Sequence, residues 1–467
     1  MKTLKCLRID ETLHSHHSFL SLCSFSCSIQ DATPLSYKSL NVDQADSIIV
    51  LYNSNNFFKN DAHKFWTIKD TTKWKNLSGD EKINACQLPD NFLNSVSSEN
   101  LAAICARYPL FFEYMLTDNE KYGISFMIKN FNGLKELSSR KDGTMKLLKL
   151  YSNIKVLEDP FLSNLDTLSS PLHLRYIELL LTNDIFISQL NDIQKDSLYF
   201  YLSEKASEKR KNLSVYQGYV LLDMSKSKRM KTMSDYFTII YTPLRQEITA
   251  YIRDEFSSWV IYESTMDVLN NYNVILIDSS SRTYNCHSYA WNISEGGATC
   301  WIEYGGINLS KYWTNDLYSS ATQGNNYGYT RVYYSGDHSA LSSYGTSYYT
   351  SKWGEGPLVR HSPTTVPASY TTNRTYYYAP AIIGPTYITL GNTYIYRIFP
   401  HIAEYANATY HWNFDDEEKG GYIVSSGADS VAIFFNQGGT FQISCSIENS
   451  QGTIVYSAFF EPLREYL

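Results

Sequence analysis

From Ser97 to about Lys211, apolar residues recur at helical spacing: Leu101, Ile104 and Cys105, then Leu110 to Met115, then Leu147, Leu148, Leu150 and Tyr151. Ser97 or Ser98 ahead of Glu99 offers an N-cap with an acid in the first turn, and Pro109, Gly133, Gly143 and Pro160 supply breaks. A further amphipathic stretch, Leu172 to Leu181, repeats this style without a fixed period, so a stack of helical hairpins is expected and a repeat array is only suggested.

The period changes near Asn273. Val274-Ile275-Leu276-Ile277-Asp278 is a short apolar run, and tyrosine-rich segments after it are separated by Gly305-Gly306, Gly324-Asn325-Asn326, Gly336 and Gly345, as in a small antiparallel sheet. Residues 362–373 read as a linker. Alternation then predicts strands at Thr393–Phe399, Thr409–Phe414, Ser430–Phe435, Thr440–Ile447 and Thr453–Phe459, a β-sandwich.

Composition narrows the picture without changing it. The 467 residues suffice for about two to four domains. Hydrophobic residues make up 43% and charged residues 19%, while 40 tyrosines favour β-structure. A net charge of −7 argues against a nucleic-acid partner, and the one basic run, Lys226 to Lys231, reads as a solvated face. Eight cysteines without CxxC pairs indicate neither a zinc site nor a disulfide framework. No run of about 18 apolar residues predicts a spanning helix.

At the amino terminus, Ser18-Phe19-Leu20-Ser21-Leu22-Cys23-Ser24-Phe25-Ser26-Cys27 has the form of a short apolar leader core. Its Ser-Phe-Ser-Cys ending resembles a relaxed bacterial lipobox. That resemblance implies export to the cell envelope or surface, with membrane attachment through a lipid on Cys27.

The chemistry concentrates in Asn285-Cys286-His287-Ser288-Tyr289-Ala290-Trp291 and, 52 residues after the cysteine (338 − 286), Gly336-Asp337-His338-Ser339-Ala340. A thiol attacks as thiolate, which a helix start and a nearby imidazole favour. Ser288 to Ile293 reads as a short helix whose amides point back at Cys286, so the Cys286 amide is a candidate oxyanion donor. His287 looks unsuited as a base, because successive helical side chains point apart.

A two-residue turn at Tyr344-Gly345 pairs residues summing to 689 (344 + 345) and sets His338 opposite Ser351; a three-residue loop sets it opposite Lys352. Ser351 accepts from a ring N–H and is the preferred third member, with His361 as the alternative orienter. Glu355 lies on the same segment.

Together with Ser351-Lys352-Trp353-Gly354 and Leu358-Val359-Arg360-His361, these motifs resemble a divergent papain-like cysteine hydrolase of the NlpC or CHAP type over roughly residues 274–365. The helical segments Ile128 to Glu136 and Arg140-Lys141-Asp142 resemble parts of exported Bacteroidetes proteins, and the last module resembles an immunoglobulin or PKD domain, with Trp412 and Cys445 at core positions. The hydrolase resemblance implies Cys286 as nucleophile and His338 as general base, no cofactor and no metal, and a peptide or peptidoglycan substrate.

The expected fold class is therefore multidomain α+β. Residues 1–45 form a leader or disordered terminus, 46–255 an all-α, repeat-like region, 256–368 a papain-like domain and 382–463 a β-sandwich. The expected function is an exported amidase or peptidase. A catalytically inactive cell-surface binding or assembly protein is the alternative.

Overall fold

The computed structural model describes residues 71–158, 167–219, 236–243, 246–302, 306–314, 317–321, 330–335, 338–342, 347–385, 387–399, 409–416, 420–427, 429–436, 441–448, 452, 454–460 and 463–464. The leader with Cys27, Pro160, the basic run 226–231 and the turns at Gly305, 324–326, Gly336 and 344–345 lie outside them. Every described residue belongs to one compact unit, Ala45–Leu467. Helices fill its first half and mostly antiparallel sheets its second, an α+β chain.

The helices are α1 (Thr71–Asn76), α2 (Gly79–Ala85), α3 (Asp90–Ser95), α4 (Ser98–Ala106), α5 (Glu120–Asn130), α6 (Asn132–Ser139), α7 (Gly143–Asn153), α8 (Pro171–Leu181), α9 (Asp184–Ile187), α10 (Asp192–Lys211) and α11 (Leu213–Tyr216). Their starts follow the local chemistry. Ser97 caps α4 by accepting from the Asn100 amide, Ser170 caps α8 ahead of Pro171, and Asn191 with Gln194 closes a capping box on α10. Gly133 and Gly143 differ from expectation, since each lies in the first turn of a helix and not between helices.

Strands β1 (Tyr236–Tyr241), β2 (Glu247–Ile252) and β4 (Trp301–Ile302) form a three-stranded sheet. Helix α12 (Ser258–Asn271), strand β3 (Ile275–Asp278) and helix α13 (Cys286–Trp291) lead into a seven-stranded sheet ordered β3-β9-β8-β7-β6-β10-β5. Its other members are β5 (Ser319–Ala321), β6 (Thr330–Tyr334), β7 (His338–Ser342), β8 (Tyr349–Lys352), β9 (Leu358–His361) and β10 (Arg374–Tyr378).

The helical half and this sheet share one core. Helix residues such as Leu101, Phe112, Tyr151 and Leu180 pack in the same cluster as Val260 and Val268 of α12, Trp353, Val359 and Ala368. The expected linker contributes too, because Val366, Ala368 and Tyr370 are buried. Ala368 joins the helical core, and Val366 and Tyr370 lie under the sheet with Val332, Tyr334 and Ala340.

The described strands from Ala381 onward form a short parallel pair, β12 (Tyr387–Ile388) with β19 (Leu463–Arg464), and two facing sheets over a common core. One holds β11 (Ala381–Ile383), β13 (Asn392–Phe399), β16 (Ser430–Phe435) and β15 (Gly421–Ser426); the other holds β14 (Thr409–Asp416), β17 (Phe441–Glu448) and β18 (Ile454–Phe460). Trp412 lies directly across from Cys445 on β17. Cys86, Cys105, Cys286, Cys300 and Cys445 are all buried. No described helix is long and apolar enough to cross a membrane.

Candidate active site

Helix α13 begins at Cys286 itself, two residues earlier than the pattern predicts, because Asn285 is its cap. The Asn285 Oδ1 accepts from the Ser288 amide at 3.0 Å and from the Ile302 amide at 3.3 Å, while its Nδ2 donates to the Ile302 carbonyl at 2.9 Å. One side chain thus starts the helix and fastens it to β4. The loop before it is equally tied: Lys352 Nζ donates to the carbonyls of Ser281 at 2.7 Å, Gly354 at 2.8 Å and Gly356 at 2.5 Å, and its ammonium lies 5.0 Å from the Tyr284 ring centre. Burial pulls Lys352 down to about 7. Three carbonyl acceptors match the three donors of an ammonium and favour the charged form against that burial.

The Cys286 thiol points at a residue from the helical half. Its Sγ lies 3.6 Å and 3.7 Å from the two carboxylate oxygens of Asp118, and His287 Nε2 lies 2.7 Å from Asp118 Oδ2. All three side chains are fully buried. On its other edge, His287 Nδ1 meets Ser339 Oγ at 2.9 Å, and Ser339 Oγ accepts from Trp291 Nε1 at 3.0 Å. A line of hydrogen bonds therefore runs from Trp291 through Ser339 and His287 to Asp118.

Asp118 is carried into place by the 3-10 helix Phe111–Leu116. The Glu355 amide donates to the Met115 carbonyl at 2.8 Å, and the Tyr370 hydroxyl donates to the Leu116 carbonyl. Gly354 makes that approach feasible: its φ is +51°, and a Cβ there would stand 2.4 Å from the Met115 oxygen. Beyond Asp118, Asn119 caps α5 by accepting from the Lys121 and Tyr122 amides.

The expected register is corrected by the strand pairing. Leu341 faces Thr350 and Ser342 faces Tyr349, a sum of 691 (341 + 350), so neither Ser351 nor Lys352 is the cross-strand partner of His338. Continuing that register sets Ser351 opposite Ala340. The observed sum lies two above the two-residue reading and one above the three-residue reading.

Ser351 serves His361. Trp353 Nε1 donates to Ser351 Oγ at 3.0 Å, Ser351 Oγ meets His361 Nε2 at 2.7 Å, and His361 Nδ1 meets the Ser362 carbonyl at 2.8 Å. A carbonyl only accepts, so His361 carries its proton on Nδ1 and takes the Ser351 hydroxyl hydrogen on Nε2. Burial pushes this imidazole down to about 4, which fits its neutral form.

His338 stands apart from the thiol. Its ring is buried, stacks on Tyr370 at 4.4 Å, and neither ring nitrogen makes a hydrogen bond among the described residues. Alternation along β7 explains this, since Ser339 points to α13 and His338 to the opposite face, with Tyr334 as its partner across β6. Burial and the neighbouring imidazoles His361 and His287 hold His338 well below the usual histidine range. Glu355 is likewise engaged elsewhere, 2.8 Å from Arg253 Nη2.

Sequence reasoning missed Asp118 and set His287 aside. Consecutive helical side chains do diverge, but a third group placed between them joins Cys286 to His287. The signal at Asp118 was faint, because a carboxylate in Leu-Thr-Asp-Asn-Glu reads as an ordinary helix start. No family model matches this chain, and no curated protein or solved structure matches it either.

Proposed function

We infer that the chain is a cysteine hydrolase that cleaves an amide bond, with Cys286 as the nucleophile. The observation that carries this reading is the buried contact of the Cys286 thiol with Asp118, whose carboxylate is already held by His287. A nucleophile, a proton acceptor and a residue orienting that acceptor within hydrogen-bond reach make the general pattern of an activated nucleophile.

In this reading Asp118 takes the thiol proton as Cys286 attacks the carbonyl, and His287 fixes the carboxylate in line. The Lys352 ammonium, within electrostatic range of the sulfur, offsets the growing negative charge. The protonated Asp118 returns its proton to the leaving amine, leaving a thioester that water hydrolyses by the reverse proton path. A papain-like fold for the sheet and α13, export, and a peptide or peptidoglycan-peptide substrate belong to the same proposal.

A second assignment of the base keeps His338, and the observation that favours it is a buried imidazole with no hydrogen bond to either ring nitrogen among the described residues, a costly arrangement that asks for a role. Variants separate the two. With peptide and cell-wall-peptide substrates read by mass spectrometry, Cys286→Ala is expected to form no product. Asp118→Asn is expected to lose about 10²- to 10⁴-fold in rate, and His338→Gln to stay within a few-fold. The reverse ranking transfers the base to His338. Turnover that survives Cys286→Ala ends the hydrolase reading.

A further inference from the structure

We propose that Asp118, Cys286 and His287 also form a binding site for a thiophilic divalent cation of the Zn²⁺ type. One carboxylate oxygen, the sulfur and His287 Nε2 all lie within 4.8 Å of one another. Bond lengths of about 2.0 Å to N or O and 2.3 Å to S put tetrahedral donors roughly 3.3–3.6 Å apart. For the shared oxygen Asp118 Oδ2, the 3.7 Å separation from Cys286 Sγ is close to that span, and the 2.7 Å contact with His287 Nε2 has to open by only about half an ångström.

The donor set selects the metal. A thiolate, an imidazole and a carboxylate together suit Zn²⁺, whereas Mg²⁺ and Ca²⁺ seek oxygen alone. The surroundings are also those of a built site. Ser339 Oγ, itself fixed by Trp291 Nε1, stands 2.9 Å from His287 Nδ1, so the imidazole turns its Nε2 lone pair to the cation while its proton sits on Nδ1. Binding replaces the thiol S–H by an S–metal bond and releases that proton to solvent.

The site rests on its own geometry. Its consequence for turnover rests on the hydrolase reading: a sulfur that shares its lone pair with a cation, with Asp118 and His287 tied up as ligands, is a much poorer nucleophile toward a carbonyl, so the cation holds the enzyme in a low-activity form. Asp118 then has two roles, accepting the proton in the metal-free state and anchoring the cation in the other.

The test uses the full chain, stripped with a chelator and titrated with Co²⁺ as a spectroscopic substitute for Zn²⁺. One equivalent is expected to bind with a thiolate-to-cobalt charge-transfer band. Cys286→Ser removes that band and Cys300→Ser keeps it. Ser339→Ala weakens Co²⁺ binding by about 10- to 100-fold. In the unmodified protein, Zn²⁺ is expected to slow alkylation of Cys286 relative to Cys300, and chelator to restore it.

A band that survives Cys286→Ser, uptake with no charge-transfer band, or absence of stoichiometric uptake overturns the proposal. Should Cys286→Ser fail to fold by circular dichroism, the Zn²⁺ protection of the unmodified thiol decides alone. Amide cleavage is measured in the chelator-treated chain, so a failed metal titration and a failed hydrolase reading are separate results.

Discussion

Two hydrogen-bonded relays of similar make-up flank α13, Trp291-Ser339-His287-Asp118 and Trp353-Ser351-His361-Ser362, yet only the first ends on an ionisable group. The second ends on a carbonyl, which gives it a structural character. Ser351→Ala leaves Trp353 Nε1 without its acceptor and His361 without its donor, so it is expected to cost about 1–3 kcal/mol in chemical denaturation. Because Ser351 does not contact His338, cleavage per folded molecule is expected to stay within a few-fold. A loss of turnover without a loss of stability would restore Ser351 to the catalytic set.

The buried imidazoles also set an acid limit. His361 titrates near 6.5 when unfolded and is pushed down to about 4 when folded, and His173 to about 3. Between those values the unfolded chain binds more protons, so stability is full above about pH 6.5 and is lost as pH falls toward 4. His361 alone accounts for roughly 3 kcal/mol at most over this window. Melting temperature followed from pH 7 to pH 4 is expected to fall, less steeply in His361→Gln. An equal slope in both proteins would assign the acid limit to other groups.

At the scale of elements, α13 is six residues long and cannot rely on its own hydrogen bonds, so Asn285 is expected to decide whether it forms. Asn285→Ala removes a cap and the tie to Ile302 and is expected to cost roughly 2 kcal/mol by denaturation. Asn285→Asp, which keeps the acceptor and loses the donor to the Ile302 carbonyl, is expected to fall between wild type and Ala. Indistinguishable stabilities for Ala and wild type would mean that packing of Trp291 alone holds the helix.

Much at this scale was legible in the chain itself. Ser97 is the cap its position suggested, and strand Ser430–Phe435 has the expected bounds, because caps and alternation are local properties. The Cys286 segment was legible for the same reason. What was not legible is non-local. The β7–β8 register is set by pairing between strands that no local pattern fixes, and the observed pairing is offset by two residues from the preferred expectation. Asp118 is 168 residues from Cys286, and nothing near it in sequence says what it will meet.

For the whole molecule, the decisive feature is the core shared by helices and sheet. Residues 256–467 expressed alone would expose Val260, Val268, Trp353 and Val359, which are all fully buried against the helical half. That fragment is expected to bind hydrophobic dye and to lack the sharp thermal transition of the full chain. A cooperative transition in the isolated fragment would show that the sheet half is self-sufficient.

The reach of Asp118 has a consequence in time. As the chain leaves the ribosome the helical half is complete first, yet Asp118 stays without Cys286 until 168 further residues have been made. The Tyr370 hydroxyl that fastens Leu116 arrives later still, 254 residues downstream of it. A newborn molecule therefore lacks the Cys286–Asp118 contact, and the tie that fastens Leu116 beside it forms only when translation of the sheet is nearly finished.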